Sequence, residues 1–207
     1  MDLVADYQND QPPSHYETIV FKEDMTSVVQ QTKLLSFIYM DQLEGWCTRN
    51  KAAILIDMVF MLRPKTIVEI GVWGGKSLIP MAQALNTTKS GIIFGIDPWD
   101  SLASIQGMEG ANYDWWGTVD HTMILQGLLE KISKFQLSGH IQLIKDTSEN
   151  ASPIPNIDIL HIDGNHSENA SMHDVNKWVP LVRNGGIIIF DDVDWITNEK
   201  AVQWLDT

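Results

Sequence analysis

The chain has 207 residues, with 27 acidic against 14 basic side chains, a formal net charge of -13 and 44% hydrophobic residues. That length suits one domain with a continuous core, and that hydrophobic content excludes a disordered chain. The acidity excludes nucleic acid as the substrate, because a phosphate backbone demands a basic footprint.

No apolar run reaches the ~18 residues of a membrane-spanning helix, and Met1 to Asp10 is acidic and polar, unlike a signal peptide. The single cysteine, Cys47, allows no internal disulfide. Together these features predict a cytoplasmic protein with no membrane partner.

Met1 to Glu23 is polar, contains Pro12 and Pro13, and reads as an irregular arm. Apolar residues then recur at helical intervals from Asp24 to Met40 and again from about Arg49 to Leu62, where Arg63-Pro64 ends the helix. Residues 1–64 are read as part of the same domain as a core spanning 65–207, packing on its face or against a partner.

Thr66 to Ile70 (TIVEI) reads as a buried parallel strand, and Gly71, Gly74 and Gly75 permit a tight turn. Helical spacing resumes from Lys76 to Leu85. Such a junction aims the free N–H groups of a helix start at an anionic group above the strand ends. A phosphate-binding G-x-x-x-x-G-K-[ST] loop would need a glycine where Ile70 stands. A dinucleotide G-x-G-x-x-G would need one where Trp73 stands. What remains is an acidic E-x-G form that begins at Glu69.

A second strand, Ile92 to Asp97, ends in an acid that either accepts from ribose hydroxyls, as in doubly wound sheets, or caps a turn. Pro98 to Gly117, with Trp99, Trp115 and Trp116, is long for a connection. It reads as a lid that walls a pocket with aromatic rings, or as a patch against a neighbouring subunit. Thr118 to Phe135 is the next helix and Ile141 to Lys145 the third strand, followed by Asp146 and by Ser148, a credible helix cap. The fourth strand, Ile157 to Asp163, runs into Gly164, Asn165 and His166. Ser167 to Val182 forms the crossover helix, and the fifth strand, Ile187 to Asp191, ends in Asp191-Asp192. The alternation predicts an α/β fold with a Rossmann-like, doubly wound and mainly parallel sheet that carries its ligands at the carboxyl ends of the strands.

Asp163, Asp191 and Asp192 at adjacent strand ends repel one another unless protonated or neutralised by a cation, and hard oxygen ligands suit Mg²⁺. Asp192 as a helix cap and Asp191 as a solvated acid are the structural alternatives. His166 follows Asp163 by three residues; an imidazole of ordinary pKa, ~6.5, accepts a proton near neutrality. His161, inside the fourth strand, reads as a hydrogen-bonded core residue.

On Glu69, Gly71, Trp73 and Gly75, an E-x-G-x-x-x-G form, the chain resembles the class I S-adenosylmethionine (SAM)-dependent methyltransferases. Within them it resembles the metal-dependent small-molecule O-methyltransferases related to macrolide-sugar and cephalosporin-pathway enzymes. The resemblance runs from Lys65 to Trp195 and implies a core of strand order 3-2-1-4-5. It implies that Gly71, Trp73, Gly75 and Ser77 hold the methionine portion of SAM, with Glu69 contacting its ammonium or ordering the turn. Asp97 then serves the ribose, Asp146 and Ser148 the adenine, and Asp163 both cofactor and metal. Asp163, Asp191 and Asp192 would bind Mg²⁺, and His166 would be the general base, as in the sugar enzymes. Catechol-type relatives carry a lysine there.

The implied acceptor is a small hydroxylated molecule, and the implied assembly a homo-oligomer. Family sheets carry two further strands after the helix that begins near Ile196, whereas this chain stops at Thr207. The usual C-terminal hairpin is therefore expected to be absent, with the chain cut short or the edge of the fifth strand covered by another element or chain. Two other readings compete: a non-catalytic SAM-binding protein on the same scaffold, and a nucleotide hydrolase suggested by GGKS and by Asp191-Asp192, against which the short loop counts.

Overall fold

The structure, a computed structural model, describes residues 23–206, and the expected irregular arm lies outside them. Strands β1 (Thr66–Ile70), β2 (Ile92–Asp97), β3 (Ile141–Lys145), β4 (Ile157–Ile162) and β5 (Val182–Phe190) form one sheet. Its order is β3-β2-β1-β4-β5 and every neighbouring pair is parallel, as expected. The helices are α1 (Glu23–Met40), α2 (Arg49–Leu62), α3 (Leu78–Thr88), α4 (Ser101–Ser104), α5 (Gly110–Thr118), α6 (His121–Lys134), α7 (Glu168–Trp178) and α8 (Glu199–Leu205). None of the described helices is long and apolar enough to cross a membrane.

Strand periodicity sorts the core. Ile67, Ile93 and Ile159 face α2, α3 and α6, where they pack with Ile56, Leu78 and Leu128. Val68, Leu160 and Ile162 face the opposite layer, with Val175 and Trp178 of α7 and Ala201 of α8. α1 lies on α2 and α3, tied by the Lys33–Asp57 ion pair at 2.6 Å and by a Thr32–Thr87 hydroxyl contact at 3.2 Å. At the amino edge of the sheet, Asp158 accepts from the backbone N–H groups of Lys65 at 2.7 Å and Thr66 at 2.9 Å, and pairs with Arg183. Burial raises its pKa, but Arg183 and the two N–H donors outweigh that and hold it below the ordinary value.

Several boundaries differ from the sequence expectation for identifiable reasons. α3 starts at Leu78 rather than Lys76, because Gly75 sits at φ 81 and the chain is still turning. α6 starts at His121, where Asp120 caps it by accepting from the Met123 N–H at 2.9 Å. The supposed loop from Pro98 to Gly117 contains two helices; Asp100 caps α4 by accepting from Ala103 N–H at 3.0 Å. The crossover helix stops at Trp178 and passes through a 3-10 turn, Val179–Leu181, that contains Pro180. β5 begins at Val182, pairing with Ile157 across a register irregularity.

Gly71 ends β1 at φ 83, and a Cβ there would overlap the Asp163 carbonyl and lie 2.7 Å from the Gly164 Cα. Both obstacles are backbone, so neither can rotate away. Gly71→Ala combines left-handed strain with overpacking and is expected to cost about 2–5 kcal/mol. Urea unfolding measures this directly, and a loss below about 1 kcal/mol would contradict the packing described.

On α7, Asp174 is fully buried, and desolvation pushes its carboxyl from 3.8 to about 7, against the opposing effects of a Ser148 hydrogen bond and of Lys177. A carboxyl raised in the folded state supports folding below its unfolded pKa, and that support is lost as pH rises from about 4 to about 7. Asp174→Asn is therefore expected to flatten the decline of stability with pH across this window. Urea midpoints at several pH values test it; an unchanged slope would refute the linkage.

Candidate active site

The site is built by the hydrogen-bond ladder running one residue past the strands. Gly71 N–H donates to Ile96 O at 2.9 Å, Asp163 N–H to Ile70 O at 2.8 Å, and Asp191 N–H to Ile162 O at 2.9 Å. Sheet register therefore sets Asp97, Gly71, Asp163 and Asp191 along one row. That row borders a cavity of about 700 Å³, a volume in the range of cofactor and small-molecule pockets.

The glycine turn is held from below. Asp97 Oδ2 accepts from Val72 N–H at 3.0 Å and Trp73 N–H at 2.9 Å, and Oδ1 from Trp99 N–H at 2.7 Å. Burial pushes the Asp97 carboxyl up while these backbone donors pull it down, and burial prevails. Glu69 is completely buried and accepts from the Ser77 hydroxyl, so of its two expected roles the geometry supports ordering the turn. Ser77 thereby gives up capping α3. Gly71, Trp73, Ser77, Asp97 and Asp163 all border the cavity. Gly75, at φ 81, faces Leu128 at the root of the turn.

Trp99 is not a pocket wall. It is buried, and its indole N–H donates to Trp73 O at 3.0 Å, which fastens the turn to the segment after β2. The aromatic wall comes instead from Trp115 and Trp116 of α5 with Trp73 and Trp46, whose ring centroids lie 4.8–6.0 Å apart.

Asp163, Asp191 and Asp192 border the same cavity. Asp191 faces inward, where Lys51 of α2 forms an ion pair with its Oδ2 and donates to Asp163 Oδ2 at 3.2 Å. Asp192, at φ 52, turns its Oδ2 to His166 Nε2 at 2.8 Å, and the His166 ring stands edge-on to Trp195 at 4.6 Å. His161 is fully buried, as expected, yet neither of its nitrogens has a hydrogen-bond partner among the described residues. It is wedged between two acids: Nδ1 lies 3.4 Å from Glu69 Oε1, and Nε2 lies 3.5 Å from Asp191 and 3.9 Å from Asp163. Two groups of donor atoms, each within 4.8 Å, could hold a cation: His161, Asp163 and Asp191, or Asp163, His166 and Asp192.

Asp146 and Ser148 are not brought to this cavity. Asp146 accepts from its neighbour Thr147 N–H at 2.8 Å, and the Ser148 carbonyl accepts from Lys177 at 2.8 Å and the Trp178 indole at 3.2 Å. Cys47 stands on the cavity wall, where burial pushes its thiol up to about 11 while Lys51 pulls the other way.

Three contributors escape the sequence reading. His161 carried a signal, since it precedes Asp163 by two residues and period two places both on one face. It is also the register partner of Glu69. Lys51 and Trp46 carried none, because each reaches the site from far along the chain.

The model of the methyltransferase domain family matches residues 68–193, more than half of the chain. A protein of Acanthamoeba polyphaga mimivirus, uncharacterized protein R132, is 33% identical over 135 residues, covering 61% of this chain and 51% of its own. The chain thus matches about half the length of that relative. Among solved structures, the O-methyltransferase NovP is 16% identical with a TM-score of 0.62, covering 88% of this chain and 90% of NovP. The O-methyltransferase TomG of Streptomyces achromogenes, solved in complex with SAM, is 13% identical with a TM-score of 0.55, covering 91% of this chain and 78% of TomG. The glycine turn over β1, the sheet order and these matches agree: the chain belongs to the methyltransferase domain family, with the class I fold of the SAM-dependent O-methyltransferases.

Proposed function

We propose that this protein transfers a methyl group from SAM to a hydroxyl of a small molecule, assisted by a divalent cation such as Mg²⁺. The observation that carries this reading is the convergence on one 700 Å³ cavity of the glycine turn, Asp97, three carboxylates and His166. SAM supplies an electrophilic methyl on a sulfonium. The turn at Gly71 leaves space for the methionine portion, with Trp73 and Ser77 beside it. Asp97 already takes three backbone donors, and its position above β2 suits the ribose hydroxyls.

The donor set fits a cation. Carboxylate oxygens suit a hard divalent ion, and the buried Nε2 of His161 faces them without a hydrogen-bond partner among the described residues. Of the three expected acids, Asp163 and Asp191, with the buried Nε2 of His161, would hold it, whereas Asp192 pairs with His166; when bound, it would supply Lewis acidity that lowers the pKa of an acceptor hydroxyl. His166 takes the hydroxyl proton, and Asp192, 2.8 Å from Nε2, stabilises the imidazolium that forms. The tryptophan wall excludes water and orients the acceptor by apolar contact. Exposed Leu34, Ile38, Ile54 and Met61 on α1 and α2 support a homo-oligomer.

Calorimetric titration is expected to show binding of SAM but not of ATP, weakened about tenfold or more in Asp97→Ala. Binding of ATP alone would favour a nucleotide hydrolase. With methyl-labelled SAM and an extract of small molecules, Asp191→Ala is expected to lower metal-dependent transfer on the order of 100-fold while leaving SAM affinity within a few fold. Equal loss of both would remove the metal assignment.

A further inference from the structure

The acid cluster already faces a cation that belongs to the chain. Lys51 lies in the first turn of α2, where Thr48 caps the helix by accepting from the Lys51 N–H at 3.2 Å, and this cap fixes where the side chain departs. The ammonium reaches across to the sheet edge, donating to Asp163 Oδ2 at 3.2 Å and pairing with Asp191 Oδ2. These are the same two oxygens that lie nearest His161 Nε2. Lysine and one of the two candidate cation positions therefore draw on one pair of ligand atoms.

We propose that Lys51 is a tethered counter-ion that competes with the divalent cation for Asp163 and Asp191, holding the acids together without metal and swinging out when metal binds. This inference rests on the metal reading given above. Two carboxylates at adjacent strand ends repel unless a positive charge lies between them, and an ammonium supplies one. Its charge is single and its N–H groups occupy the lone pairs a metal needs, so the two occupants exclude each other. A lysine suits this exchange, being a compact charge on a flexible four-carbon stem.

The test is Mn²⁺ binding to the full chain, followed by electron paramagnetic resonance, in the wild type, Lys51→Met and the charge-retaining Lys51→Arg. Lys51→Met is expected to bind Mn²⁺ about tenfold tighter than the wild type, with Lys51→Arg close to the wild type. Equal affinity of the wild type and Lys51→Met would overturn the lysine's role and leave the metal site standing. Absence of Mn²⁺ binding in all three would overturn the metal site and this inference with it. A second measurement needs no variant: brief acetylation of the wild type, read by mass spectrometry. It is expected to label Lys51 several-fold faster at saturating Mg²⁺, and an unchanged rate would refute the exchange.

Discussion

The site depends on how closely β1 and β4 approach at their carboxyl ends. Gly71 has no side chain, so the Asp163 backbone can lie directly against it, and the ladder bond from Asp163 N–H to Ile70 O closes at 2.8 Å. Every residue of the proposed site is placed relative to that contact. The turn leaves β1 over Asp97, and Asp191 is carried in by the next rung. A side chain at position 71 would part the glycine turn from the acids, separating the proposed donor site from the proposed acceptor site.

The polar groups around this contact form two systems with different surroundings. Glu69, Ser77 and Asp97 hold backbone: their hydrogen bonds run to the turn or to one another, and they keep the cavity floor in one shape. Asp163, Asp191 and Asp192 instead face Lys51, His161 and His166. His161 stands between the systems, within 3.5 Å of an acid in each. This division suits the proposed function, in which the cofactor cradle stays constant while an acceptor and a cation come and go.

Much of this was legible in the chain because local chemistry dictated it. Each parallel strand is a short apolar run, and the E-x-G-x-x-x-G turn and the acids at strand ends lie within a few residues of those runs. Parallel register then brings strand ends together without further information. What was not legible depended on side chains that meet only in the folded molecule. Lys51 meets Asp163 across a sequence separation of 112 residues, and nothing near it in the chain marks an acid. Trp99 looked like a wall residue beside Trp115 and Trp116, but its indole N–H is drawn under the glycine turn by the Trp73 carbonyl. Asp146 and Ser148 follow a strand end, yet the Asp146 carboxylate accepts from the Thr147 N–H and the Ser148 hydroxyl bonds Asp174 of α7, and neither borders the cavity. Gly185 and Gly186 read as a turn and put the expected start of β5 at Ile187, whereas the bend at Gly185 is absorbed as an irregularity within a strand that starts at Val182.

The central claim is that one cavity at the carboxyl edge of the sheet takes both a methyl donor and a divalent cation. The most direct measurement is a crystal structure of the chain grown with S-adenosylhomocysteine and Mn²⁺, with data collected at the manganese edge. The expected result is the thioether ligand lying over the Gly71 turn with its ribose at Asp97, and an anomalous peak within bonding distance of Asp163 and Asp191. An empty cavity with ligand elsewhere, or manganese bound away from these acids, would contradict it.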